Sequence, residues 1–164
     1  MVILGIDPGL ATLGWGLIAD HQHKQTLIRY GCIITPPDQP FPMRLLAIRT
    51  ELEAIIAEYS PDEIAFEELF FARNVTTALT VGAARGVCVS VAARHTNPLY
   101  EYTPMQVKQA LTGYGRADKK QIQEMVKLLL VLPEIPKPDD AADALAIALT
   151  HSAMGAVRSQ YRMK

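Results

Sequence analysis

The chain has 164 residues, a formal net charge of −1 and 49% hydrophobic side chains. That length predicts a single domain with an ordinary core, and the apolar composition excludes an intrinsically disordered protein. The longest apolar stretches, 86–93 and 128–132, are too short to cross a bilayer, and the N-terminus lacks the basic start of a signal peptide. We therefore expect a cytoplasmic protein with no membrane partner.

The near-neutral total conceals an uneven distribution of charge. Residues 1–68 contain 4 basic and 10 acidic side chains, whereas residues 69–132 contain 8 basic and 3 acidic ones. DNA-binding domains are usually basic, so the total alone would argue against a nucleic-acid partner. The basic middle segment keeps that class of partner open.

The first part of the chain predicts a sheet and one helix. Apolar runs at 2–7, 12–19 and 26–35 predict three strands, and their short connections favour an antiparallel meander. Apolar residues three and four positions apart predict an amphipathic helix over 43–59. A fourth strand is predicted at 63–67, and like the first it ends in an acidic residue.

The second part alternates helices with one short strand. Its first helix carries Gly82 and Gly86 in its interior, where a glycine costs about 1 kcal/mol. Either another helix approaches closely, as at a dimer seam, or this helix packs closely on the protein's own sheet. The predicted elements are a helix from the N-cap Asn74 to about 94, a strand at 99–102, helices at 104–113, 118–131 and 139–153, and a frayed polar tail at 155–164.

Four acids are candidates for a metal site. Asp7 and Glu67 end two buried strands, and Asp140 and Asp143 share one face at the start of the last helix, where alanines leave room for close packing. If the fold brings them together, their repulsion raises their pKa values unless cations bind. Oxygen donors favour Mg²⁺ or Mn²⁺ over zinc, and two such ions can activate water and stabilise the leaving oxygen in phosphodiester cleavage.

Each of these acids also has an ordinary structural explanation. Asp7 before a Pro-Gly pair suits a turn, and Glu67 suits the exposed end of a strand. Asp140 suits the first turn of a helix, or its N-cap position. The sequence leaves these alternatives open, although all four acids together make them less attractive.

Four segments together identify a family. They are ILGIDPGLATLGWGLI from Ile3, IAFEELFFARN from Ile64 with the following ALTVGAARGV, QVKQALTGYGRADKKQIQEMV from Gln106, and DDAADALAIALTH from Asp139. From about residue 2 to 152 the chain closely resembles the RuvC family of Holliday-junction resolvases. The resemblance implies an α/β, ribonuclease-H-like fold, with a five-stranded mixed sheet of three antiparallel and then two parallel strands, flanked by helices. It implies one nuclease domain at 1–155 and a short basic tail at 156–164.

The resemblance also implies an activity. A homodimer would cut two opposed strands of a four-way DNA junction in recombination and repair, leaving 5′-phosphate and 3′-hydroxyl ends. It would use two Mg²⁺ ions in each active site, with Mn²⁺ able to substitute, and would cooperate with a branch-migration helicase complex. The family's catalytic and metal-binding acids correspond to Asp7, Glu67, Asp140 and Asp143.

Basic and aromatic residues form a candidate DNA-binding set. Lys108 and Lys119 match basic residues that the family uses near the DNA, and Phe70 matches an aromatic position near the junction centre, where it would stack on an unpaired base. Cations outnumber acids between Lys108 and Lys127, which favours phosphate contacts over a plain solvated helix face. The full set is Phe70, Phe71, Arg73, Asn74, Lys108, Arg116, Lys119 and Lys120.

Two further acids adjoin the candidate site. Glu68 stands where many family members have Gln, and no role is carried over to it. Asp139 precedes Asp140, and a shift of one residue in the register of the helix would exchange their roles.

Two other functions are compatible with parts of the sequence. An actin-like nucleotide phosphotransferase also opens with a strand, an acid and a glycine turn, but it needs two such domains and a second phosphate loop. A non-catalytic junction-binding scaffold would be marked by loss of a carboxylate, and all four are present here.

Overall fold

Five strands form one mixed sheet in the computed structural model, which describes residues 1–22, 24–69, 75–96 and 98–164. The strands are β1 (Val2–Asp7), β2 (Thr12–His21), β3 (Lys24–Ile34), β4 (Glu63–Glu67) and β5 (Tyr100–Tyr102). The helices are α1 (Phe41–Tyr59), α2 (Val75–His95), α3 (Pro104–Thr112), α4 (Lys119–Leu129) and α5 (Asp139–Met154), followed by a 3₁₀ helix at Gly155–Tyr161. None of the described helices is long and apolar enough to cross a membrane.

The strand order is β3-β2-β1-β4-β5. Strands β1 to β3 pair antiparallel, whereas β1 pairs parallel with β4, and β4 with β5. The expected α/β architecture with a five-stranded mixed sheet, three antiparallel strands followed by two parallel ones, is therefore confirmed. The parallel pairing brings the carboxyl ends of β1 and β4 to the same edge of the sheet.

Alternate residues of β1 face opposite layers of helices. Ile3 belongs to the core formed with α3, α4 and α5, whereas Leu4 and Ile6 belong to the core formed with α1 and α2. Successive side chains of a strand point to opposite faces of the sheet. Gly5 and Asp7 therefore face α5, on the same side as Ile3.

Helix α5 lies directly on β1 and β2 because glycines leave room for its backbone. A Cβ atom on Gly5 would clash with the carbonyl oxygen of Ala144, and one on Gly14 would clash with that of Asp140. No larger residue fits at either position unless the helix shifts. This close approach holds the start of α5 against the end of β1, and it confirms the close packing expected around the alanines of α5.

The ends of α5 differ from two readings of the sequence. Pro138 is the N-cap residue, so Asp140 lies in the first turn and is not the cap. The expected fraying after α5 is wrong, because Tyr161 packs on the core and the N–H of Met163 donates to the carbonyl oxygen of Leu99 at 2.8 Å. The C-terminal residues therefore extend the edge of the sheet beside β5.

The glycines of α2 do not pack on the sheet. Within the described part of the chain, no atom lies within 4 Å of a Cβ built on Gly82 or Gly86. Gly86 instead borders a groove of about 510 Å³ between α1 and α2. The explanation by close packing on the protein's own sheet is therefore wrong for both residues, and the approach of a second helix stays a prediction.

Candidate active site

Two carboxylates stand at one edge of the sheet because adjacent parallel strands end there. Asp7 closes β1 opposite Gly14 of β2, and Glu67 closes β4. Phe66, one residue earlier on β4, pairs with Ile6 of β1, so the two acids end neighbouring strands in register. Both side chains are partly buried.

Helix α5 contributes two more acids at the same edge. Asp140 lies in the first turn, with its backbone against Gly14, and Asp143 follows one turn later on the same face. The Asp143 side chain is 30% exposed. The glycine contacts on β1 and β2 thus bring the start of α5 to the acidic ends of the strands.

The electrostatics show that these side chains act on one another. Burial, followed by the charges of Glu67, Asp143 and Asp140, raises the pKa of Asp7 to about 8. Burial and the charge of Asp143 also raise the pKa of Glu67, and burial raises that of Asp143. The carboxylate cluster, meaning Asp7, Glu67, Asp140 and Asp143, therefore holds more negative charge than its surroundings compensate.

Lys119 supplies part of the missing positive charge. Its Nζ lies 3.0 Å from Oδ2 of Asp143 and 3.3 Å from Oδ2 of Asp139. Partial burial disfavours the ammonium, but the hydrogen bonds and charges of Asp143 and Asp139 raise the pKa of Lys119. These two ion pairs offset the unfavourable position of a cation in the first turn of α4.

Lys108 lines the same cavity as Lys119, Glu67 and Asp143. Its charge opposes the rise in the pKa of Glu67. The cavity has a volume of about 190 Å³ and an apolar wall that includes Val107 and Ile122. Two carboxylates and two ammonium groups thus surround a space next to the strand ends.

The donor set fits divalent cations by its chemistry. All four side chains offer oxygen, the donor that Mg²⁺ and Mn²⁺ prefer, and the raised pKa of Asp7 records a site short of positive charge. Among the described residues, no three acidic, histidine or cysteine side chains stand together with the spacing of metal ligands.

The remaining predicted residues fall into two groups. Four of them lie outside the described residues, namely Phe70, Phe71, Arg73 and Asn74, and with Asn74 the predicted N-cap of α2. Arg116 is exposed in the loop between α3 and α4, and Lys120 is exposed on α4. Lys120 lines a separate cavity of about 460 Å³ with Asp118 and Glu124. The structure therefore brings Lys108 and Lys119, and not Lys120, to the carboxylate cluster.

The sequence reasoning missed Gly5 and Gly14, which carry the contact with α5. Glycines inside two neighbouring strands, together with an alanine-rich helix elsewhere in the chain, could have indicated that the helix packs closely on those strands.

A buried polar network at the other end of α5 was also not predicted from the sequence. Nε2 of His151 lies 2.7 Å from Glu63, its Nδ1 lies 2.7 Å from the hydroxyl of Tyr102, and Arg158 lies 3.2 Å from Glu63. His151 lies in the last turn of α5, a position that suits a cation, but it is fully buried, and burial lowers its pKa. Because Glu63 only accepts, Nε2–H donates to it and Nδ1 accepts from the Tyr102 hydroxyl.

Comparison with known proteins gives a match along nearly the whole chain. The family model described as crossover junction endodeoxyribonuclease RuvC matches residues 3–151. A crossover junction endodeoxyribonuclease RuvC of Alkaliphilus oremlandii is 55% identical over 164 residues, the full length of both chains. That of Desulfitobacterium hafniense is 58% identical over 152 residues, which are 93% of this chain and 92% of the relative.

Solved structures share the fold. RuvC of Thermus thermophilus in complex with a Holliday junction substrate aligns with a TM-score of 0.92 at 38% identity, over 99% of both chains. The yeast mitochondrial Holliday junction resolvase Ydc2 aligns with a TM-score of 0.70 at 14% identity, over 97% of this chain and 82% of that one. The second likeness shows a common fold alone.

Proposed function

This chain belongs to the RuvC family of crossover junction endodeoxyribonucleases, and on that premise we propose that it resolves four-way (Holliday) DNA junctions in recombination and repair. The single observation that carries the proposal is the carboxylate cluster at the edge of the sheet, with Lys108 and Lys119 beside it. Clustered, partly buried acids whose pKa values are raised by burial and by one another mark a candidate functional site.

We assign catalysis and metal binding to Asp7, Glu67, Asp140 and Asp143. Asp7 is central, because the charges of the other three all act on it. Two Mg²⁺ ions bound there, or Mn²⁺ in their place, would activate water and stabilise the leaving oxygen. The four carboxylates would hold those ions, and their partial burial lowers the local dielectric, which strengthens electrostatic interactions at the site.

The reaction is hydrolysis of one phosphodiester bond in each of two strands. The oxygen of water forms a bond to phosphorus in line with the leaving group, the bond from phosphorus to the 3′ oxygen breaks, and that oxygen takes up a proton. The products carry a 5′-phosphate and a 3′-hydroxyl. We assign phosphate binding to Lys108 and Lys119, which are within reach of the same space.

Further DNA contacts are proposed from the family resemblance. Phe70, with Phe71 beside it, would stack on a base exposed at the crossover, and Arg73 and Asn74 would contact the backbone nearby. Arg116 and Lys120 are exposed next to α3 and α4 and would bind phosphates farther from the cut. The domain at 1–155, a cytoplasmic location and a branch-migration helicase partner remain proposals on the same basis.

Paired cuts across a junction require two active sites related by two-fold symmetry, so we propose a homodimer. The glycine face of α2 supports this proposal, because Gly82 and Gly86 have open space beside them in the single described chain. A close-packed helix from a second copy would account for two glycines in a helix interior.

The deciding experiment compares cleavage of a synthetic four-way junction with cleavage of a linear duplex of the same arm sequence. We expect symmetric pairs of nicks in the junction with Mg²⁺, and none in the duplex or with a chelator. Equal cutting of both substrates, or cutting that persists with the chelator, would exclude the proposal. Tight junction binding without cleavage in either Mg²⁺ or Mn²⁺ would identify a scaffold instead.

A further inference from the structure

Lys119 occupies an unusual position for a residue expected to bind DNA. Its ammonium bridges Asp143 at 3.0 Å and Asp139 at 3.3 Å. The two acids are four residues apart on α5, so they present their oxygens on the same side of the helix. A lysine that lies between two carboxylates has its positive charge already engaged before any substrate arrives.

The two acids are not equivalent. The Asp143 side chain is 30% exposed and its charge acts on both Asp7 and Glu67, whereas the Asp139 side chain is 62% exposed. Asp143 therefore belongs to the carboxylate cluster, and Asp139 lies at its outer rim. The Lys119 side chain, 53% exposed, spans the boundary between them.

We propose that Lys119 is the built-in counter-ion of the metal-free site, that an entering divalent cation displaces it from Asp143, and that Asp139 then retains the ammonium at the rim. This inference rests on the proposed function, and it gives Asp139 a role as a positioning residue.

The displacement has a consequence for the order of events. A divalent ion and the Lys119 ammonium compete for the same carboxylate of Asp143. Once the ion takes it, the ammonium keeps one carboxylate instead of two and faces the cavity that Lys108 also lines. Metal binding thereby prepares a phosphate-binding group, and a phosphate that takes Lys119 favours metal binding in turn, because linkage is reciprocal.

The first test measures Mg²⁺ affinity of the full chain without DNA, by calorimetric titration with MgCl₂. Removal of the competing ammonium in Lys119→Met should tighten Mg²⁺ binding about fivefold, the size expected for a half-exposed ion pair. Lys119→Arg keeps the charge and should stay near wild-type affinity. Lys127→Met, which removes one cation from the same helix, is the matched control and should change affinity less than twofold.

Unchanged or weaker Mg²⁺ binding by Lys119→Met would overturn the inference, as would an equal gain in Lys127→Met. A second readout follows the Lys119 amine itself. Its rate of acylation, measured by mass spectrometry, should rise on addition of Mg²⁺ while that of Lys127 stays constant. A Lys119 rate that does not respond to Mg²⁺ would show that no exchange occurs.

The role of Asp139 is isolated by a double-mutant cycle on Mg²⁺ affinity. Asp139→Asn leaves Lys119 on Asp143 alone, so it should weaken Mg²⁺ binding in the wild-type background, and weaken it less when Lys119 is already Met. Equal effects in both backgrounds would mean that Asp139 acts only by its own charge. None of these measurements uses DNA or cleavage, so they separate this inference from the proposed nuclease function.

Discussion

Two regions beneath α5, one around His151 and one around Asp7, both contain buried ionisable groups. They differ in whether the charges of those groups are compensated by neighbouring side chains. At the end near His151, one carboxylate, one imidazole and one phenol are joined at 2.7 Å, and Arg158 lies 3.2 Å from the same carboxylate, that of Glu63. At the end near Asp7, the charges of four carboxylates act on one another, and Lys119 and Lys108 compensate only part of that charge. Both regions lie along the same helix, α5, where it packs on the sheet.

This difference in charge compensation distinguishes a structural site from a candidate binding site. A buried group whose partners are all present stabilises the fold and has nothing left to bind. A group whose charge is left uncompensated destabilises the fold unless something else binds, so such a site is kept for a ligand. We therefore interpret the Glu63 and His151 end as structural and the Asp7 end as the catalytic one.

The largest effect should come from removing the charge of Asp7. Asp7→Asn should lower junction cleavage at least about a thousandfold while junction binding persists, since the variant loses the central carboxylate. Without metal, the same variant should be more stable than the wild type by roughly 1–3 kcal/mol, because the raised pKa reports a penalty on the buried charge. Gel-based cleavage assays and thermal melting measure the two quantities.

Asp38→Asn is the matched control, because Asp38 is exposed in the loop before α1 and the charge change is the same. It should leave both quantities unchanged. An Asp7→Asn enzyme that still cuts junctions would remove Asp7 from the mechanism, and one that melts below the wild type would show that the acidic end is structural after all.

Gly5→Ala should disrupt both ends together. The added methyl group clashes with the Ala144 carbonyl oxygen, so α5 must move away from β1. We expect a loss of roughly 3 kcal/mol or more in the free energy of unfolding, measured by denaturant titration.

Gly86→Ala serves as its control, because nothing lies within 4 Å of the added atom in the described chain. It should raise helix stability by about 0.5–1 kcal/mol when measured on the monomer. A Gly5→Ala protein as stable as the wild type would show that α5 can lift from the sheet without cost.

His151→Ala should lower stability and spare the chemistry. It leaves the Glu63 carboxylate and the Tyr102 hydroxyl without their buried partner, so we expect a loss of about 2–4 kcal/mol. Junction cleavage per folded molecule should stay within a factor of two at a temperature where the variant is folded. His21→Ala, at the exposed end of β2, is the control. A large loss of cleavage by folded His151→Ala would show that the two ends are coupled.

The smallest and most diagnostic effect is the slope of stability against pH. The folded pKa of Asp7, about 8, exceeds its ordinary value of 3.8, so the folded state binds the proton more tightly and stability falls as pH rises between those values. The folded pKa of His151 lies below its ordinary 6.5, so stability falls as pH drops below 6.5. Asp7 and His151 therefore contribute opposite slopes to the dependence of stability on pH.

Melting temperatures of the metal-free protein from pH 5 to pH 8 measure both slopes. Asp7→Asn should flatten the decline toward pH 8, and His151→Ala should flatten the decline toward pH 5. Parallel curves for the wild type and both variants would show that neither group titrates between the folded and unfolded states.

Much of the site could be predicted because strand periodicity is local. Asp7 and Glu67 each close a short apolar run, and the parallel arrangement of two such strands places both at one edge. That Asp140 and Asp143 share one face of the last helix follows from helix geometry alone. The glycines of α2 could be noticed, but the choice between the sheet and a second helix required the three-dimensional surroundings.

The partners of long polar side chains could not be predicted. Lys119 reads in sequence as a residue that awaits a phosphate, and only the packing of α4 beside α5 shows it paired with Asp139 and Asp143. His151 reads as a helix end, and only the sheet beneath it shows that Glu63, 88 residues away, meets its ring.

By itself, the sequence predicted the order of the elements and the four candidate acids, because these depend on local patterns of apolar and acidic residues, and the resemblance of its motifs to a known family implied the fold class. The tertiary structure decided which buried charges are satisfied and which are not, because that depends on distances between segments far apart in the chain. The glycines of β1 and β2 connect the two levels, since they let α5 approach closely enough to bring its acids to the ends of the strands.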